Sequence, residues 1–173
     1  EKIAERTMRG KLERARAGKL PQGTGKGCYG YRYTKETGRR ETDPFQAVVV
    51  QRIFQQYVDS QSFSQVSNEL NETGIPAFEG GRWYPLTIRR ILMNETYTGR
   101  AVYRKTKRLR LRRNNGHGPA SRVVDQPQEE WVAVEGSTPR IVDEALWQRV
   151  QEILNDPERT HRLPTSRHYA LRG

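Results

Sequence analysis

Arg89 and Arg90 stand side by side in the stretch Ile75–Arg100, IPAFEGGRWYPLTIRRILMNETYTGR. A guanidinium is a planar fork of donors that can hold a guanine edge or a phosphate through two bonds at once. Ile88, Ile91 and Leu92 recur at i, i+3 and i+4, which predicts a short helix with one buried stripe. Leu86, Arg89, Arg90 and Met93 then fall on the opposite side. That pattern suits a groove-reading element, and it equally suits any basic surface helix. A second set of cations lies in residues 18–30, GKLPQGTGKGCYG, where five glycines and a proline preclude regular structure. Such a segment can lie deep in a minor groove, with Lys19, Gln22 and Lys26 meeting phosphates or base acceptors. An ordinary flexible hinge has the same composition. A third set is Thr98–Arg113, with eight basic residues (Arg100, Arg104, Lys105, Lys107, Arg108, Arg110, Arg112, Arg113) and no acid. In a strand, Arg108, Arg110 and Arg112 would share one face, and Leu109 and Leu111 the other.

Catalytic sets are missing. The chain contains no G-x-S-x-G, no P-loop and no H-E-x-x-H. His117, His161 and His168 fall in loop-like stretches and read as solvated, with a DNA contact open to His117. The acids read as helix caps or charge partners, and no pair stands out as a metal site. Cys28 is the only cysteine, which excludes an internal disulfide and a cysteine-based zinc site within the chain. It reads as a small packing residue. The net charge of +11 over 173 residues is the footprint of a protein that meets a polyanion, most often nucleic acid. No apolar run approaches the ~18 residues of a membrane span, and no signal peptide is visible, so the expected compartment is reducing cytoplasm. The length suits one domain with a core, or a domain with an extension.

The elements that must carry these cations follow in order. Glu1–Ala17 reads as a helix with a narrow stripe of Ala4, Met8, Leu12 and Ala15 and a basic face of Lys2, Arg6, Arg9 and Arg16. Gly10 weakens it, and Gly18 suits its C-terminal turn. Because the chain opens inside this pattern without an initiator methionine, it is expected to be cut from something longer. Tyr29–Thr42 reads as a hairpin turning at Lys35–Gly38, with Tyr29, Tyr31 and Tyr33 alternating. Asp43–Asp59 is the strongest helix: Asp43 at the N-cap, Pro44 at N1 and Gln46 at N3, in position to close a capping box. Val48, Val49, Val50, Ile53, Phe54 and Tyr57 mark it as the central buried helix. Ser62–Glu72 opens with an S-x-x-Q box and buries Phe63, Val66 and Leu70, ending at Gly74. Trp83 and the helix Pro85–Met93 follow. Asn114–Gln128 is expected to be a mobile loop and Glu130–Val134 a returning strand. A last helix, Asp143–Asn155, is capped by Asp143 and turns Leu146, Val150, Ile153 and Leu154 inward. The order of hairpin, three helices, basic β-ribbon and helix is α+β, mostly helical, and resembles a winged helix-turn-helix.

The ordered set of Glu5-Arg6-Thr7-x-x-Gly10, Pro21…Gly30-Tyr31, Asp43-Pro44-x-x-Ala47-x-x-Val50-x-x-Ile53-Phe54-x-x-Tyr57, Leu70-Asn71-x-x-Gly74-Ile75, Trp83 and Ile91-Leu92-x-Asn94-x-x-Tyr97-x-Gly99 resembles the recombinase domain of large serine recombinases, the serine integrases and transposases of phages and mobile elements. The resemblance spans about residues 1–155. It implies a division into the end of a long connecting and dimerising helix (1–17), an extended minor-groove linker (18–30), a DNA-binding domain (31–155) and a linker toward a zinc-ribbon domain (156–173). It places the nucleophilic serine in a domain before Glu1, so this segment by itself is expected not to cut DNA. In the intact enzyme that serine attacks a phosphate, subunits assemble as dimers and tetramers, and strands exchange through phosphoserine links without metal or nucleotide energy. Zinc is expected only downstream, and no cofactor in this segment. The partner implied is a double-stranded DNA attachment site in a bacterial cell. Under this resemblance Arg82, Thr87, Arg89 and Arg90 serve the major groove or nearby phosphates. Lys19, Gln22 and Lys26 serve the minor-groove linker, and Arg6, Arg9 and Arg16 the backbone near the crossover. The basic ribbon adds Arg104, Lys105, Lys107 and Arg108. Trp83, Asn94 and Tyr97 are expected to be an anchor, a helix-end cap and a packing ring. Departures from the family pattern are Tyr84 at an N-cap, Ser67 in the second helix, and a long turn between the second and third helices. A stand-alone winged-helix regulator and a basic RNA-binding module are the rival readings.

Overall fold

The computed structural model describes residues 2–21, 27–111 and 120–157. It is α+β and divides into two compact units, each built from two separate stretches of chain: Glu1–Val49 with Glu95–Ile141, and Val50–Asn94 with Val142–Gly173.

The first unit opens with helix α1 (Lys2–Arg16). Its end is a Schellman turn: Gly18 takes φ +68°, its N–H reaches Ala15 O and the Lys19 N–H reaches Arg14 O. Ala15 is buried against Ala101 and Val134, with Leu20, Tyr103 and Val132 packed around them, so the narrow stripe of α1 does find an apolar partner. Strands β1 (Tyr31–Thr34) and β2 (Arg39–Thr42) form the expected hairpin, with Tyr31 opposite Thr42. Tyr29 lies in the turn before β1 rather than in the strand. Tyr29 and Tyr31 are buried, whereas Tyr33 reaches solvent, so the three tyrosines do not form one packed face.

The basic stretch that reads as one ribbon is broken in two. Strand β3 (Val102–Tyr103) pairs with β6 (Val132–Ala133), and β4 (Thr106–Leu111) pairs with β5 (Ala120–Asp125). The break falls at Arg104, whose φ of +66° leaves the strand region. The expectation of a loop over Asn114–Gln128 is therefore corrected in its described part: Ala120–Asp125 is a strand, in register from Thr106↔Asp125 to Leu111↔Ala120, while residues 114–119 lie outside the described residues. Val123 and Val124 favour extended backbone, and β4 offers them a full ladder, which local composition does not reveal. The expected strand at Glu130–Val134 shrinks to Val132–Ala133, because Gln128–Glu130 winds into a 3₁₀ turn.

Helix α2 (Pro44–Ser60) starts in the first unit and continues into the second. The Gln46 N–H donates to Asp43 Oδ1 at 3.1 Å, the expected cap. The box does not close: Gln46 Oε1 accepts instead from the Gly30 N–H at 2.8 Å, and the Asp43 N–H donates to Gly30 O. Val48 is 64% exposed and does not join the core, while Val49, Val50, Ile53, Phe54 and Tyr57 do.

The second unit is helical. Helix α3 (Phe63–Glu72) is capped by Ser62 Oγ, which accepts from the Gln65 N–H at 3.3 Å. Gln65 does not return the bond; its amide donates to Glu69 at 3.1 Å. Gly74, at φ +68°, closes α3 with the Ile75 N–H on Leu70 O and its own N–H on Asn71 O. Phe63 stacks on Tyr57, with centroids 4.9 Å apart. Helix α4 (Pro85–Leu92) packs against α3 and against α5 (Glu144–Leu154). At α5, Asp143 occupies the N-cap position, but its carboxylate makes no capping bond. Its φ of −66° and ψ of 145° fit a cap, so the backbone turns as expected while the side chain does not. Val150 is fully buried, and Leu146, Ile153 and Leu154 are half-buried.

Candidate nucleic-acid interface

Helix α4 is positioned by the residues before it. Trp83 is 2% exposed. Asn71 of α3 clamps the Trp83 backbone from both sides: its Nδ2 donates to Trp83 O at 3.0 Å, and its Oδ1 accepts from the Trp83 N–H at 2.9 Å. The indole N–H donates to Ile75 O at 2.9 Å. Trp83 is thus the expected anchor, and Asn71, which the sequence marks only as part of a motif, holds it. Tyr84 takes the N-cap position without a side-chain bond, and Pro85 starts the helix, where a missing N–H costs nothing. Ile88, Ile91 and Leu92 are buried. Gln151 of α5 donates to Leu92 O at 2.8 Å, satisfying a carbonyl at the end of α4.

Leu86, Arg89, Arg90 and Met93 face outward as the periodicity predicts; Leu86 is 54% and Met93 51% exposed. Arg89 and Arg90 are exposed, with no carboxylate partner among the described residues. Arg82 is exposed just ahead of Trp83, and Thr87 is half-buried.

In the first unit, Arg6, Arg9 and Arg16 are exposed along α1, and Lys19 follows the helix, also exposed. Gln22 and Lys26 lie outside the described residues. The four ribbon cations separate into two kinds. Arg104 Nη2 lies 2.6 Å from Glu130 Oε2, and Lys105 Nζ lies 2.5 Å from Glu95 Oε2 and over the Trp131 ring, 5.1 Å from its centroid. Gln126 ties this junction further: its N–H donates to Lys105 O, and its side chain to Glu130. Lys107 and Arg108, two and three residues on, are exposed and project to opposite faces of β4. The run of cations in the sequence does not show this distinction, because Glu95 and Glu130 stand outside it.

Tyr97 is a packing ring and more. It stacks on Tyr31 with centroids 5.9 Å apart, and its hydroxyl donates to Tyr29 O at 3.0 Å. The Tyr31 hydroxyl donates to Pro139 O at 2.8 Å. Burial raises the pKa of all three phenols, that of Tyr29 up to about 12 with the charge of Asp43 adding to the effect. The opposite holds at Asp43, where the Gln46 N–H and then the Arg32 side chain, 2.9 Å away, keep the carboxyl below the ordinary carboxylate range. Among the described residues no group of three or more His, Cys, Asp or Glu side chains could hold a metal ion. No described helix is long and apolar enough to cross a membrane.

The second unit presents a small amphipathic helix with outward arginines, and the first unit presents a basic two-stranded ribbon. The chain belongs to the Recombinase family, whose sequence pattern matches residues 44–157. It is 29% identical, over 99% of its length, to a protein of Bacillus subtilis (strain 168) described as a candidate DNA recombinase, and it spans about a third (35%) of that protein. The fold is shared with a chain in a crystal structure of an LSR–DNA complex, at TM-score 0.59 and 19% identity, covering 86% of this chain and 37% of that one. It is also shared with a chain solved in work on the sequence requirements of the Listeria innocua prophage attP site, at TM-score 0.57 and 19% identity, covering 86% and 51%.

Proposed function

We propose that this chain is a sequence-specific DNA-binding segment of a serine site-specific recombinase, and that it grips attachment-site half-sites in duplex DNA. The observation that carries this reading is the outward stripe Leu86–Arg89–Arg90–Met93 on α4, inside the Recombinase match. In this reading Arg89 and Arg90 enter the major groove, with Arg82 and Thr87 at nearby phosphates. Lys107 and Arg108 add phosphate contacts from the ribbon, Arg6, Arg9 and Arg16 add them from α1, and Lys19 adds one beside it. Gln22 and Lys26 would extend the minor-groove path. Arg104 and Lys105 contribute mainly by holding the base of the ribbon, since carboxylates already answer their charges. The whole protein would break and rejoin DNA through a phosphoserine link, working as a dimer that pairs into a tetramer in the bacterial cytoplasm, with zinc held elsewhere in the protein.

The test is Arg90→Ala, measured on a selected binding duplex and on random DNA. A loss of ~1–3 kcal/mol confined to the selected duplex is expected if Arg90 holds a base edge. An equal loss on both would reduce Arg90 to a phosphate contact, and no loss on either would remove α4 from the interface.

A further inference from the structure

We propose that Leu86 and Met93 each pack on the C5-methyl group of a thymine in the major groove, on either side of the bases held by Arg89 and Arg90. The proposal rests on the DNA-binding reading above and names what its apolar residues recognise. Leu86, Arg89, Arg90 and Met93 sit at i, i+3, i+4 and i+7, so two apolar ends bracket two cations on one face. The opposite face fixes this orientation: Ile88 and Leu92 are fully buried, and Gln151 holds the last turn of α4. Half of each outward apolar side chain nevertheless stands in water beside arginines that have no carboxylate partner among the described residues.

The charge of that face selects a polyanion, and its apolar ends ask for apolar groups within the polyanion. On the major-groove edge of duplex DNA the thymine methyl is the group that answers. The dimensions agree. A helix with its side chains is about 10–12 Å across, close to the width of the major groove, so it can lie along it. Leu86 and Met93 are about 10 Å apart along the axis, or roughly three base-pair steps. The preferred site therefore carries two methyl-bearing positions about three base pairs apart, with the arginine contacts between them.

The experiment selects duplexes of about 20 base pairs from a randomised library with the full chain, then replaces each thymine singly with deoxyuridine, which removes only the methyl group. Two positions should each lose affinity by about fourfold, the effect of one buried methyl-sized group. The loss at one should vanish in Leu86→Ala and the loss at the other in Met93→Ala, whereas Leu86→Met should retain its sensitivity. Deoxyuridine without effect at every position, or losses that persist unchanged in both alanine variants, would overturn the methyl contact and leave DNA binding standing. A library that yields no enriched duplex would overturn the DNA-binding reading together with this one. Circular dichroism of the variants separates any loss of fold from a loss of binding.

Discussion

Arg104 in the first unit and Arg90 in the second both read from sequence as cations free to meet DNA, yet their surroundings differ. Arg104 has a left-handed backbone, a side chain only 30% exposed, and Glu130 against its guanidinium. Arg90 is exposed on an eight-residue helix whose other face is fully packed. An arginine whose charge is already met by a carboxylate adds order to its own unit. An arginine left in water keeps its charge for a partner. The cations of a basic protein are therefore not equivalent, and the placement of the few acids sorts them.

The largest expected effect tests the support of the second unit. Trp83→Ala should destabilise it by ~3–5 kcal/mol, because it empties the site of a buried aromatic ring and removes the indole bond to Ile75 O. Denaturant unfolding measures this, and a loss of binding without a loss of stability would show that Trp83 is not the anchor of α4. The contrast between the two arginines comes next. Arg104→Ala should cost about 1 kcal/mol of stability, discounted for its partial exposure. Arg90→Ala should change stability by less than about 0.5 kcal/mol while weakening DNA binding. If both variants behaved alike, the distinction drawn from Glu130 would be wrong. Replacing Lys107 and Arg108 together with Ala should lower the slope of log affinity against log salt by about 2, one for each phosphate that is no longer neutralised; an unchanged slope would take the ribbon out of the interface.

The smallest effect concerns pH. Asp43 has a depressed pKa in the folded chain, so its stabilising contribution is present above the ordinary carboxylate value of 3.8 and is lost as pH falls through the lower folded value. Asp43→Asn keeps an acceptor for the Gln46 N–H but removes the charge facing Arg32. Wild type should melt slightly higher than this variant at neutral pH, and the two curves should converge as the medium becomes acidic enough to protonate Asp43. A gap that stays constant with pH would mean that the charge adds nothing. The gap should be small, because Asp43 and Arg32 interact at the surface.

Most elements were legible because their signals are local. Proline after Asp43, serine before α3, and glycine at 18 and 74 mark helix ends through the backbone geometry each residue favours. The outward face of α4 followed from a 3.6-residue period alone. Strand β5 was not legible, since a short run such as Val123-Val124 becomes a strand only when another strand lies beside it. The capping boxes stay half-closed because the N-cap N–H finds another acceptor. The Asp43 N–H donates to Gly30 O while Gln46 Oε1 accepts from the Gly30 N–H, a pairing set by the fold, and the Ser62 N–H donates to Ser60 Oγ two residues back.

By itself, then, the order of amino acids determined the helices, the hairpin, the basic character and the identity of the outward arginines on α4, because propensity, capping and periodicity act over a few residues. Tertiary structure alone decided which cations remain available. Glu130 lies 26 residues beyond Arg104, Glu95 lies 10 before Lys105, and only a folded backbone that turns at Arg104 brings these charges together. Pairing across such distances depends on chain closure and packing, which no local pattern encodes.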